Sequence, residues 1–165
     1  MGWLSSVRSL LLFLCLAAPL VAGSAAAFVM SDGTTTQCVA RGHVVAEIQA
    51  APDQSIVKQG RTAMTVPFGQ EYQIIWNPQK LSTLPPAMRD FLFFHECAHA
   101  QVPTNDENIA NCVGLIAMRA AGRAGSDVEA KLAAFYGANN GYWLQTLQCA
   151  NASKVAPAGT EAAPP

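Results

Sequence analysis

The pattern of apolar and polar residues changes period part-way along the chain. Across residues 71–76 it alternates, putting Tyr72, Ile74 and Trp76 on one face and Ile75 on the other. A period of two marks a half-buried strand. Residues 61–66 read the same way, and Pro67-Phe68-Gly69 suits a tight connection between the two. Residues 44–50 alternate weakly and fit a strand or a short helix, followed by a turn at Pro52-Asp53. Residues 28–42, with their Ser, Asp, Gly and Thr, read as an irregular arm.

Beyond residue 80 the spacing becomes helical. Ser82 or Thr83 caps a helix that opens near Pro85-Pro86, runs to about Gln101 and stops before Pro103. Thr104 or Asn105 caps a second helix ending near Gly122. Ser126 and Glu129 form a capping-box pattern for a third, closed by Gly137. Asn139-Asn140-Gly141 opens a fourth, which runs through Cys149. No internal repeat is visible. The pattern predicts an α+β fold: a small N-terminal antiparallel sheet followed by a helical half.

The ends of the chain read differently. Arg8 precedes an apolar run over residues 10–20, and small residues ending in Ala25-Ala26-Ala27 fit a signal-peptide cleavage site. The run is short for a membrane span and is broken by Pro19. Residues 1–27 are therefore expected to leave as a signal peptide, the alternative being an uncleaved anchor. Residues 28–150 are expected to form one domain, and residues 151–165, rich in Ala and Pro, a disordered tail. Asn151-Ala152-Ser153 matches a glycosylation sequon inside that tail. A net charge of -1 gives no reason to expect a nucleic-acid partner or, after signal cleavage, a membrane one. Export to the periplasm or outside the cell follows.

Export changes the reading of the cysteines. Cys15 leaves with the signal, and Cys38, Cys97, Cys112 and Cys149 remain, an even set that favours two disulfides over buried thiols. Of the three pairings, Cys97 with Cys112 and Cys38 with Cys149 is expected. The first ties adjacent helices and the second ties the arm to the last helix.

Chemistry concentrates at His95-Glu96-Cys97-Ala98-His99. Positions four apart share one helix face, so His95 and His99 aim two imidazoles at one point, as tetrahedral zinc requires. Glu96 lies beside them, placed to take a proton from water on the metal. Cys97 is rotated away. Two of the chain's three histidines sit here, and Phe91, Phe93 and Phe94 just upstream can bury the preceding turns. The competing reading is two unrelated histidines on an amphipathic helix.

A catalytic zinc takes a third protein ligand. Asp106, Glu107 and Cys112 are candidates. Glu107 is favoured because a reversal through Pro103 returns the next helix's first turn to the metal. Asn111, four residues on, can orient a ligand. Thr104 and Glu107 also make a capping-box pair, which would take the glutamate to the backbone instead.

His95-Glu96-x-x-His99 followed by Glu107-x-x-Ala110-Asn111 resembles the gluzincin zinc metallopeptidases, most of all small exported bacterial members with a cysteine after the second motif. The matching stretch covers roughly residues 70–120. The resemblance implies His95, His99 and Glu107 as Zn2+ ligands and Glu96 as general base. The family has aspartate where this chain has Asn111, which accepts the same hydrogen bond without the charge. A strand at 71–76 either receives a peptide or protein substrate as an added strand or is an ordinary core strand. Tyr136, Tyr142, His43 and Arg119 are candidates to stabilise an oxyanion. The alternatives are a non-catalytic zinc-stabilised exported binding module and a disulfide-held scaffold without metal.

Overall fold

The structure, a computed structural model, describes residues 27–153. Residues 1–26, holding most of the expected signal segment and Cys15, and residues 154–165 of the expected tail lie outside the described residues. Two short antiparallel hairpins come first. β1 (Phe28–Val29) pairs with β2 (Thr35–Thr36), and β3 (Val39–Ala40) with β4 (His43–Val44). The main sheet follows, in the order β5-β7-β6, from β5 (Ala46–Gln49), β6 (Ala63–Phe68) and β7 (Glu71–Trp76). The weak alternation at 44–50 thus resolves as strand. β6 and β7 form an antiparallel hairpin, whereas β5 runs parallel to β7 after a crossover through α1 (Ser55–Lys58).

β6 extends through Pro67 and Phe68, so the turn is Gly69-Gln70 rather than the proline segment. Gly69 has φ +63°, where a side chain would be strained. Proline is tolerated in β6 because β6 is an edge strand. The alternation in β7 has its expected consequence: Ile74 and Trp76 are buried, and Tyr72 is half-buried on the same face.

A short α2 (Pro78–Leu81) precedes four helices: α3 (Pro86–Gln101), α4 (Glu107–Ala120), α5 (Ser126–Tyr136) and α6 (Gly141–Ala152). The architecture is α+β. α3 is the axis of the fold, and its burial is nearly continuous from Met88 to Ala100. On one side Phe93 meets Phe28, which also packs on Trp76. On another, Phe91 meets Trp143 edge-on, and Trp143 stacks on Tyr136. A helix covered on every side needs no amphipathic stripe.

Several helix starts differ from expectation. Ser82 and Thr83 bond back to the carbonyls of Gln79 and Lys80, and Pro85-Pro86 opens α3 without a side-chain cap. Asp106 caps α4, accepting from the amides of Asn108 and Ile109. Gly125, not Ser126, is the N-cap of α5, and Glu129 forms a bidentate pair with Arg119 at 2.6 and 2.8 Å. α6 runs through Ala152, so the stretch expected as tail begins in helix.

The disulfide pairing also differs. The bonds are Cys38–Cys97 and Cys112–Cys149. Cys97 lies on the face of α3 turned toward the N-terminal arm, and Cys112 on the face of α4 turned toward α6. The two helices meet elsewhere, so their cysteines do not pair with each other. Two disulfides fit an exported protein. Among the described residues no helix is long and apolar enough to cross a membrane.

Candidate metal centre

His95, His99 and Glu107 converge. His95 Nε2 lies 3.2 Å from His99 Nε2, and Glu107 Oε2 lies 3.1 Å from the first and 3.6 Å from the second. A tetrahedral zinc with ligand bonds of about 2.0–2.1 Å separates its ligand atoms by about 3.3 Å. The observed triangle has that size. The competition over Glu107 is resolved locally. Asp106 takes the cap, so the Glu107 carboxylate is left to turn toward the imidazoles.

The far nitrogens of both rings are anchored. His99 Nδ1 donates to the Thr104 carbonyl at 2.7 Å, and His95 Nδ1 donates to Asn111 Oδ1 at 2.8 Å. A carbonyl oxygen can only accept, so each ring carries its proton on Nδ1 and turns a bare Nε2 inward. Two imidazole lone pairs and a carboxylate oxygen facing one another repel unless positive charge sits among them. The electrostatics show this demand. Burial opposes charging of His95, yet the hydrogen bond and charge of Glu107, the charge of Glu96 and the Asn111 bond raise its proton affinity overall. The His95 hydrogen bond in turn lowers the Glu107 pKa, against a smaller effect of burial.

Glu96 is on the same turn and points to β6. Burial pushes its carboxyl up, against the lowering charge of His95 and the Thr65 hydrogen bond. The Thr65 hydroxyl lies 2.7 Å from Glu96 Oε2 and 2.8 Å from the Glu96 carbonyl. The sequence offered no sign of Thr65, an ordinary residue in a strand. Gly114 also escaped notice. A Cβ there would lie 2.9 Å from the His95 amide nitrogen, so the missing side chain lets α4 approach α3 at His95 itself. An isolated glycine inside a helical pattern was its available signal.

A cleft of about 530 Å³ opens along this face, lined by residues 61–65 of β6 and its approach, by His95, Glu96 and His99, and by Asn105 and Glu107. β7 is not the strand beside it. β7 is central, with β5 and β6 on its two edges, and it has no edge to offer. β6 holds the open edge, and Thr65 on it touches Glu96.

The other expected residues separate cleanly. Asp106 is the helix cap and Cys112 is in a disulfide, so neither joins the imidazoles. Arg119 is committed to Glu129, and His43 sits exposed on β4. Tyr136 and Tyr142 pack together, rings 5.8 Å apart, near enough to Glu107 for its charge to act on both hydroxyls. Asn111 is fully buried, and its side chain reaches the Tyr142 hydroxyl as well as His95. No family model, curated protein or solved structure matches this chain. Geometry and donor chemistry therefore carry the functional reading.

Proposed function

We propose that this chain is an exported zinc-dependent peptidase, acting in the periplasm or outside the cell, with His95, His99 and Glu107 as metal ligands and Glu96 as general base. The observation that carries the reading is the triangle of bare donor atoms with edges of 3.1, 3.2 and 3.6 Å beside a buried carboxylate. Two imidazoles and one carboxylate suit zinc, and the open cleft leaves room for water and substrate, unlike a closed structural site. Zinc would polarise the peptide carbonyl and acidify a water molecule. Glu96 would take a proton from the attacking water and deliver it to the leaving amine. Asn111 and the Thr104 carbonyl hold the two imidazoles in register. An extended peptide or protein segment can pair with the open edge of β6, bringing its carbonyl past Thr65 and Glu96. Tyr142, half-buried, is hydrogen-bonded to Asn111 and feels the Glu107 charge, and we assign its hydroxyl to the oxyanion.

Metal content of the protein from residue 28 onward, prepared without a histidine tag, tests the centre. About one zinc per chain is expected, lost or much weakened in Glu107→Ala. Glu96→Gln should keep the metal and lose peptidase activity. Tight zinc with no exchangeable water on a cobalt-substituted sample would favour a non-catalytic binding module instead.

A further inference from the structure

Glu47 is a buried carboxylate outside the metal centre. It is 3% exposed, and its partners are neutral: the Trp76 indole N–H donates to it at 2.9 Å and the Cys38 amide at 3.4 Å. Among the described residues no Lys, Arg or His pairs with it. Burial pushes its carboxyl up, as expected for a charge without a counter-charge. Glu47 borders a cavity of about 240 Å³ that Ala27 and Phe28 also line. Arg89 is the only other charged group on that wall, and it makes no salt bridge to Glu47.

Two paths bring the start of β1 to Glu47. The Phe28 ring lies 4.8 Å from the Trp76 ring, whose nitrogen holds one Glu47 oxygen. Phe28 also pairs with Thr36, so its backbone nitrogen runs beside the strand leading to Cys38, whose amide faces the other oxygen. Cleavage after Ala27 turns that backbone nitrogen into a primary ammonium. We propose that the cavity beside Glu47 is a binding site for a primary ammonium group, and that its occupant is the α-amine of Phe28 freed by signal cleavage. The ion pair would anchor β1 only in the processed chain. It rests on cleavage after Ala27 and is independent of the metal reading.

The test uses the processed protein beginning at Phe28, the same protein acetylated on that amine, and Glu47→Gln. An amine facing a carboxylate should titrate about one unit above the ordinary value near 8, a tenfold rise in proton affinity. That shift is expected in the NMR titration of Phe28 and should disappear in Glu47→Gln. A raised amine pKa stabilises the fold below the unfolded value and loses its effect as pH rises through the folded one. Acetylation should therefore lower the melting temperature at pH 7, less so above pH 9 and not at all in Glu47→Gln. An ordinary titration, the same shift without Glu47, or an exported protein beginning at another residue would overturn the proposal. If Glu47→Gln fails to fold, the titration and the acetylation comparison in the native sequence decide alone.

Discussion

Gly114→Ala puts the assembly of the metal centre to a quantitative test. Its added Cβ would stand 2.9 Å from the His95 nitrogen, 3.0 Å from the His95 Cα and 3.1 Å from the Phe94 carbonyl carbon. All three are backbone atoms of α3, and none can swing aside. Ordinary contact at 3.4 Å or more requires the helices to part by about half an ångström at that level, whereas zinc ligand distances tolerate about 0.2 Å. Overpacking of this kind costs about 1–3 kcal/mol. Alanine returns up to about 1 kcal/mol of helix propensity. The net loss is up to about 2 kcal/mol, read as a melting temperature lower by up to several degrees. The larger effect is expected on the proposed metal site, because Glu107 and Asn111 move with α4 while His95 and His99 stay on α3. A fall in zinc affinity of at least about tenfold is expected by chelator competition. A Gly114→Ala protein with unchanged zinc affinity and a raised melting temperature would refute the reasoning, since propensity alone would then describe the site.

Other perturbations address separate parts of the molecule. Peptide mapping of the oxidised protein should give Cys38–Cys97 and Cys112–Cys149. Removing either bond should cost about 4 kcal/mol by the loop-closure estimate for separations of 59 and 37 residues. Asn111→Leu should weaken zinc binding about 10- to 100-fold, because His95 loses the acceptor that fixes its ring. Thr65→Val should lower kcat about tenfold with KM little changed, and Thr65→Ser should restore it, if the hydroxyl orients Glu96; equal losses in both variants would assign Thr65 to folding alone. The Asp32 carboxyl is held at about 2 by the Thr34 hydroxyl and amide, down from 3.8. Its stabilising effect is present above 3.8 and is lost as pH falls toward 2, so Thr34→Val should raise the Asp32 pKa measured by NMR.

The sequence by itself determined what depends on local spacing. Four helices after residue 80 followed from periodicity and from breakers such as Pro103 and Gly137, and the β6–β7 hairpin from alternation. The shared face of His95 and His99 needed only a helix. Where two local signals competed for one residue, spacing alone was insufficient. Glu107 could cap α4 or face the histidines, and Asp106 taking the cap decided it. Ser126 and Glu129 matched a capping box, but the helix starts one residue earlier with Gly125 as its cap, and Glu129 pairs with Arg119 from the preceding helix.

Tertiary structure decided everything that depends on which faces meet. Disulfide pairing is one case: helices adjacent in sequence carry Cys97 and Cys112 on faces turned to different neighbours, so each cysteine bonds outward. Strand order is another. Hydrophobic alternation is the same in a central and an edge strand, and only the parallel addition of β5 leaves β6 as the open edge beside Glu96. Thr65 and Gly114 carry no chemical signature of their own. They matter because one side chain reaches Glu96 across the chain and one missing side chain lets α4 approach His95, and distances between elements are not written in a linear pattern.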